Sequence, residues 1–310
     1  MARLVGFIAN RPDLGARALS LDLEAFTVRV PDPALVPASA DGPGSVSWGV
    51  GFYQGAEILL KRRPFDERTV LAFPDLVRDI RADVLIGHVR TATVGALRTE
   101  NTHPFRYRQW LYAQTGTLPL FDEASGQAAA PGGRLRARML ESLPQFLARD
   151  VRGDTDAELV FYLFLSFLHD ANKLDRMDIS AADARGALRS TLSLVERLSA
   201  EESPTPVALN ILLACAEYVI GVRGSTDSAG KPLRPTTAMG YRVLSGRQAL
   251  ERMFGDESFS RTKVPHLTSA RIAVVGSDFD DDRLPADYVA LTSRATVTLT
   301  HSDTPHVENL

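Results

Sequence analysis

The side chains of this 310-residue chain that could do chemistry gather in four short segments. His88, Arg90 and Thr93 stand in Ile86-Gly87-His88-Val89-Arg90-Thr91-Ala92-Thr93, and Asn101 and His103 in Glu100-Asn101-Thr102-His103-Pro104-Phe105. Thr115 and Gly116 follow in Tyr112-Ala113-Gln114-Thr115-Gly116-Thr117-Leu118, and Asp156 in Gly153-Asp154-Thr155-Asp156-Ala157-Glu158. A guanidinium presents a planar pair of donors suited to a carboxylate. Within Ala113-Gln114-Thr115-Gly116, Thr115 is the one side chain able to act as a nucleophile, and no base stands beside it.

Other chemistries find no support. His169-Asp170, His266, His301 and His306 lack the spacing of a zinc site, and the single cysteine, Cys215, cannot supply a cluster. It lies in an apolar run and reads as a small buried hydrophobe. The acidic run Asp278, Asp280, Asp281, Asp282 lacks the glycine and distal glutamate of a calcium loop and reads as a solvated turn. No glycine-rich phosphate loop is present, so neither metal nor cofactor is expected.

Composition narrows the classes. Hydrophobic residues make up 45% and charged residues 24%, enough for a full core. A net charge of -3 opposes nucleic-acid or anionic-membrane binding. No apolar run approaches the ~20 residues of a membrane span, and no secretory signal is evident, so a cytoplasmic location is expected.

The elements that must position these residues can be read from periodicity. Leu4 to Ala9 suits a buried strand, Val46 to Tyr53 and Ala56 to Leu60 a hairpin around Gln54-Gly55, and Val84 to Val89 a strand that delivers Arg90 to the mouth of a sheet. Helical spacing covers Phe73 to Ile80, Leu135 to Ala148, Asp156 to Asp170 and Ala181 to Leu198, with Thr155 or Asp154 capping the third. Strand character returns in Val207 to Val222, Tyr241 to Leu244, Arg271 to Val275 and Val289 to Leu299. Trp48, Gly49 and Gly51 read as core packing that lets a loop approach a sheet. Strands, then helices, then strands predict a single layered α+β domain over 1–310, with loop insertions near 31–44, 124–134 and 224–236.

Taken in order, the four segments, with Ala2-Arg3-Leu4-Val5-Gly6-Phe7 and Ser47-Trp48-Gly49-Val50-Gly51-Phe52-Tyr53, resemble the class II glutamine amidotransferases. The likeness is to the compact single-domain branch that includes the ergothioneine-pathway amidohydrolase. It spans nearly the whole chain and is strongest from Ala2 to Leu168. It implies the N-terminal-nucleophile hydrolase fold, a four-layer αββα sandwich with two antiparallel sheets. The family's nucleophile is an N-terminal cysteine freed by removal of the initiator methionine. Here the second residue is Ala2, whose methyl group cannot form a thioester.

A second departure lies in the family's oxyanion loop, typically Ala-His-Asn-Gly, which reads Ala113-Gln114-Thr115-Gly116 here. Gly116 keeps its backbone N–H, while Thr115 replaces the asparagine donor, a loss that typically costs about a hundred- to a thousand-fold in rate. The resemblance assigns Arg90 to a ligand's α-carboxylate and Asp156 to its α-ammonium. It places Thr93, His88, Asn101 and His103 around the same substrate site, with no catalytic residue confirmed.

Two independent departures lead to the expectation of a catalytically degenerate protein that binds an amino acid or γ-glutamyl compound, or that supports a partner enzyme or a homo-oligomer. One alternative is an active stand-alone amide hydrolase, either altered at its nucleophile or using a recruited group. Another is an interaction scaffold with a filled-in pocket.

Overall fold

The computed structural model of the chain describes residues 2–29, 46–55, 57–91, 97–119, 121, 131–224, 238–255, 269–280 and 283–310. Thr93, Asp281, Asp282, the expected loop at 31–44, residues 124–130 of the one at 124–134 and all but Gly224 of the one at 224–236 lie outside them. Helix begins already at Pro131.

Two antiparallel sheets form the centre. The first is built from β1 (Ala2–Ala9), β3 (Val46–Gln54), β4 (Glu57–Asp66), β6 (Val84–Thr91), β11 (Met239–Ser245), β12 (Arg271–Ser277) and β13 (Val289–Ala290), in the order β13-β11-β12-β1-β6-β3-β4. The second holds β7 (Phe105–Tyr107), β8 (Trp110–Thr115), β9 (Asn210–Ala214), β10 (Tyr218–Arg223), β14 (Ala295–Thr300) and β15 (His306–Asn309), in the order β15-β14-β10-β9-β8-β7. A small pair, β2 (Thr27–Arg29) with β5 (Val70–Ala72), stands apart.

Alternation along these strands accounts for the layering. Leu4, Ile8, Ile86, Leu111, Ala113, Leu212, Val275 and Val297 fill the space between the sheets. The intervening Val5, Phe7, Leu85, Val89, Ile272 and Val274 face α1 (Gly15–Ser20), α2 (Phe73–Leu76) and α7 (Gly246–Phe254). On the other side Trp110, Tyr112, Ile211, Leu213 and Ile220 pack against α3 (Pro131–Glu141), α4 (Gln145–Asp150), α5 (Asp156–Asp170) and α6 (Ala181–Glu202). Three cores between four layers give the αββα sandwich.

Some expected elements change. The helix expected over Leu135 to Ala148 is two, because Pro144 has no N–H to continue the ladder and disfavours helical geometry before it. Phe73 to Ile80 holds only the four-residue α2. Val289 to Leu299 divides into β13 and β14, with Arg294 at φ 56° between them. The capping threonine is Thr155, whose hydroxyl accepts from Glu158 N. Among the described residues no helix is long and apolar enough to cross a membrane.

Candidate functional site

The site lies where the ends of β1, β6 and β8 meet the start of α5. Ala2 is in register with Arg90, and Arg90 with Ser47, so three side chains form a row across β1, β6 and β3. Each lies an even number of residues along its strand from one that fills the space between the sheets, so the row faces that space. Ala2, His88, Arg90, His103, Gln114, Thr115, Gly116 and Asp156 line one cavity of about 60 Å³. Asn101, buried behind it, does not line the cavity.

Arg90 is 8% exposed. Its Nε donates to Ser47 Oγ at 3.3 Å and its Nη2 to the Asn101 carbonyl at 3.4 Å. Burial lowers its pKa, opposed by the negative charges of Asp156 and Asp154. Asp156, the first residue of α5, accepts from Leu118 N and from Ala157 N, both at 2.8 Å. A carboxylate at a helix N-terminus is held by the orphan amides there and favoured by the helix dipole. A buried cation and a buried anion therefore face one cavity from different layers.

The loop before α5 is anchored from two sides. Asn101 Oδ1 accepts from Asp154 N at 3.0 Å, and the Glu158 carboxylate accepts from Arg152 N at 3.0 Å and Gly153 N at 2.6 Å. Burial raises the pKa of Glu158. A Cβ at Gly153 would lie 2.4 Å from Asn101 Oδ1 and 2.9 Å from Glu158 Oε2, so only glycine fits between these braces.

His88 and His103 form an edge-on ring pair with centroids 4.4 Å apart, and His103 packs in turn on Phe105. Burial, with the Arg90 charge, pushes the His88 pKa down to about 3 and holds His103 well below the ordinary histidine value. Both are neutral at physiological pH. Neither ring nitrogen of His103 has a hydrogen-bond partner among the described residues. The Gly49 backbone supports this loop closely, since a Cβ there would stand 2.2 Å from the His103 carbonyl oxygen.

Two residues that carry no role in the sequence reading belong to the site. Asp278, at φ 63° just past β12, accepts the Thr115 hydroxyl proton at 2.7 Å and also binds Ser277 Oγ. Gln114 takes the Tyr112 hydroxyl on its Oε1 at 2.5 Å, leaving its buried Nε2 without a hydrogen-bond partner among the described residues. The acidic run is therefore only in part the expected solvated turn: the half-buried Asp278 holds Thr115, while Asp280, 61% exposed, pairs from the surface with the buried Arg3 at 2.7 Å. Only the departure of Gln114 from the typical loop sequence could have pointed to it. Nothing local to Asp278 announces a partner 163 residues away.

Gly116, at φ 86°, could hold no side chain, because a Cβ would lie 2.1 Å from the Ala208 carbonyl oxygen. Chemically, the cavity offers a cation, an anion and amide donors. At Ala2 it offers a methyl group.

Comparison with known proteins agrees with this architecture. The sequence model of "Glutamine amidotransferases class-II" matches residues 1–199. "Probable glutamine amidotransferase DUG3" of Saccharomyces cerevisiae is 25% identical over 166 residues, half of this chain and 43% of that protein. "Putative glutamine amidotransferase YafJ" of Escherichia coli is 34% identical over 83 residues, 25% of this chain and 32% of that protein. The matched stretches thus span less than half the length of either relative. Among solved structures, a glutamine aminotransferase class-II domain protein from Silicibacter pomeroyi shares the fold at TM-score 0.57 and 17% identity, covering 99% of this chain and 98% of that one. A predicted glutamine amidotransferase from Pseudomonas aeruginosa does so at TM-score 0.51 and 17% identity, covering 97% and 98%. A family match over 199 of 310 residues, on a fold held in common from end to end, means that the chain belongs to the class II glutamine amidotransferases.

Proposed function

We propose that this chain is a catalytically silent member of its family whose cavity grips the head group of a free amino acid or γ-glutamyl compound. The observation that carries the reading is the register of Ala2 with Arg90. The position that would present a nucleophile to a ligand held by Arg90 carries only a methyl group. Thr115 beside Gly116 does not reproduce an asparagine–glycine oxyanion site, and the Thr115 hydroxyl already donates its hydrogen bond to Asp278. The binding parts remain, since Arg90 and Asp156 line the same cavity, as a zwitterion requires. At about 60 Å³ the cavity holds roughly four to six waters, a volume that one α-amino-acid head group can displace.

The Thr115–Asp278 pair favours one other reading, in which Thr115 is a recruited nucleophile whose proton passes to Asp278. Carboxylates are weak bases for an aliphatic alcohol, so this reading ranks second. Calorimetry with L-glutamine, L-glutamate and a γ-glutamyl dipeptide tests the first. Binding is expected to weaken by about 2–5 kcal/mol in Arg90→Gln or Asp156→Asn, each of which unpairs one charge of the ligand in a desolvated site. No binding of any of the three to the wild type would overturn the pocket and leave the scaffold. Glutamate release abolished by Thr115→Ala would promote the enzymatic reading.

A further inference from the structure

Back to back with the cavity, and sharing no lining residue with it, lies a much larger cleft of about 590 Å³ between β4, β7 and α5. His103 and Phe105 form the partition, His103 facing the cavity and Phe105 the cleft. We propose that this cleft is a second binding site, for a small organic anion carrying a phosphate on an aromatic body.

Charge is the first argument. Arg62, Arg106, Arg108 and Arg152 line the cleft against only Glu100 and Glu158. Glu158 is already committed to the amides of Arg152 and Gly153. A guanidinium carries five N–H donors. Arg62 donates one bond, to the Thr102 carbonyl at 3.3 Å, and Arg106 one, to the Ile58 carbonyl at 2.9 Å. Arg108 pairs with the exposed Asp175, and the Arg152 side chain makes no hydrogen bond or ion pair among the described residues. Most of these donors are therefore unspent. A structural arginine cluster would instead be neutralised by carboxylates.

The second argument is the floor. Phe105, Phe161 and Tyr162 are buried beneath the cleft, and the Tyr107 ring meets Tyr162 edge-on with centroids 6.1 Å apart. Aromatic surface under a rim of guanidinium groups suits a ligand with an apolar planar body and an anionic end. The volume falls within the range of small-molecule sites, about 300–1,000 Å³. The chain's net negative charge sets a long polyanion aside in favour of a small one.

Calorimetry of the full chain with phenyl phosphate, inorganic phosphate and benzyl alcohol reads both halves of the proposal. Phenyl phosphate should bind more tightly than inorganic phosphate, benzyl alcohol should not bind measurably, and added salt should weaken the interaction. Arg152→Gln and Arg106→Gln should each weaken phenyl phosphate by about tenfold or more, the worth of one charge-assisted hydrogen bond. Arg90→Gln should leave it unchanged. Absence of phenyl phosphate binding, equal affinity for inorganic phosphate, or loss in Arg90→Gln but not in Arg152→Gln would each overturn the assignment. The last result would place the anion in the cavity. Because these ligands lack an amino-acid head group, failure here leaves the reading of Arg90 and Asp156 untouched.

Discussion

The Thr115 hydroxyl donates to the Asp278 carboxylate at 2.7 Å and so ties the end of β8, in one sheet, to the residue after β12, in the other. The two sheets meet mainly through apolar side chains, and this bond closes their seam beside Ala2. Thr115→Val keeps the shape and removes the donor. Hydrogen bonds to charged groups contribute about 1.5–3 kcal/mol, and Ser277 still satisfies part of Asp278, so a loss of about 1–2 kcal/mol is expected. Urea denaturation measures it. An unchanged midpoint would mean that the bond contributes nothing to the seam.

Restoring the nucleophile alone should not restore catalysis. Ala2→Cys would place a thiol opposite Arg90, yet the tetrahedral oxyanion would still lack its side-chain donor, a deficit of about a hundred- to a thousand-fold. Nucleophile and oxyanion donors act as a unit, so Ala2→Cys with Thr115→Asn should exceed either single change by more than their product. Glutamate release from glutamine is the readout. Full turnover in Ala2→Cys alone would show that one substitution separates this chain from an active enzyme.

Gly153 should tolerate no side chain. It passes between Asn101 and Glu158, and a methyl group there would force apart the two braces that hold the amides of residues 152 to 154. Overpacking of this kind costs about 1–3 kcal/mol. Because the braced loop delivers Asp156, Gly153→Ala should also weaken amino-acid binding more than Gly186→Ala, where a Cβ meets open space. Thermal melts with and without L-glutamine separate the two effects. Equal melting temperatures for the two variants would remove the steric argument.

What the sequence made legible follows the range of each interaction. The bounds of α5 were readable because an apolar face begins at a capping threonine, and β6 because an apolar run ends at Arg90. The helix over Leu135 to Ala148 was misread because hydrophobic spacing ran through Pro144. Short helices such as α1 and α7, with six and nine residues, gave too little periodicity to detect. Ala2, Arg90, Asp156 and Gly116 could be picked out as motif positions, and they converge. Asp278 could not, since its role depends on the register that brings β12 beside β1, a pairing that no local pattern encodes.

Acid should destabilise the fold through the two buried histidines. In the folded state burial holds His88 at about 3 and His103 well below its ordinary value, while in the unfolded chain both titrate near 6.5. Below about pH 6.5 the unfolded state therefore binds more protons than the native state, and stability falls as pH falls. The slope approaches about 1.4 kcal/mol per pH unit for each histidine. The loss continues down to about pH 3, where His88 protonates in the fold as well. Carboxylates contribute their own acid sensitivity, so the comparison must be made against His103→Phe, whose ring can keep the edge-on contact with His88 and the packing on Phe105. Between pH 6.5 and 4.5 the wild type should lose stability more steeply than this variant, by about one proton's worth of slope. Parallel urea-derived stabilities for the two proteins across that window would mean that His103 titrates in the folded state much as it does in water.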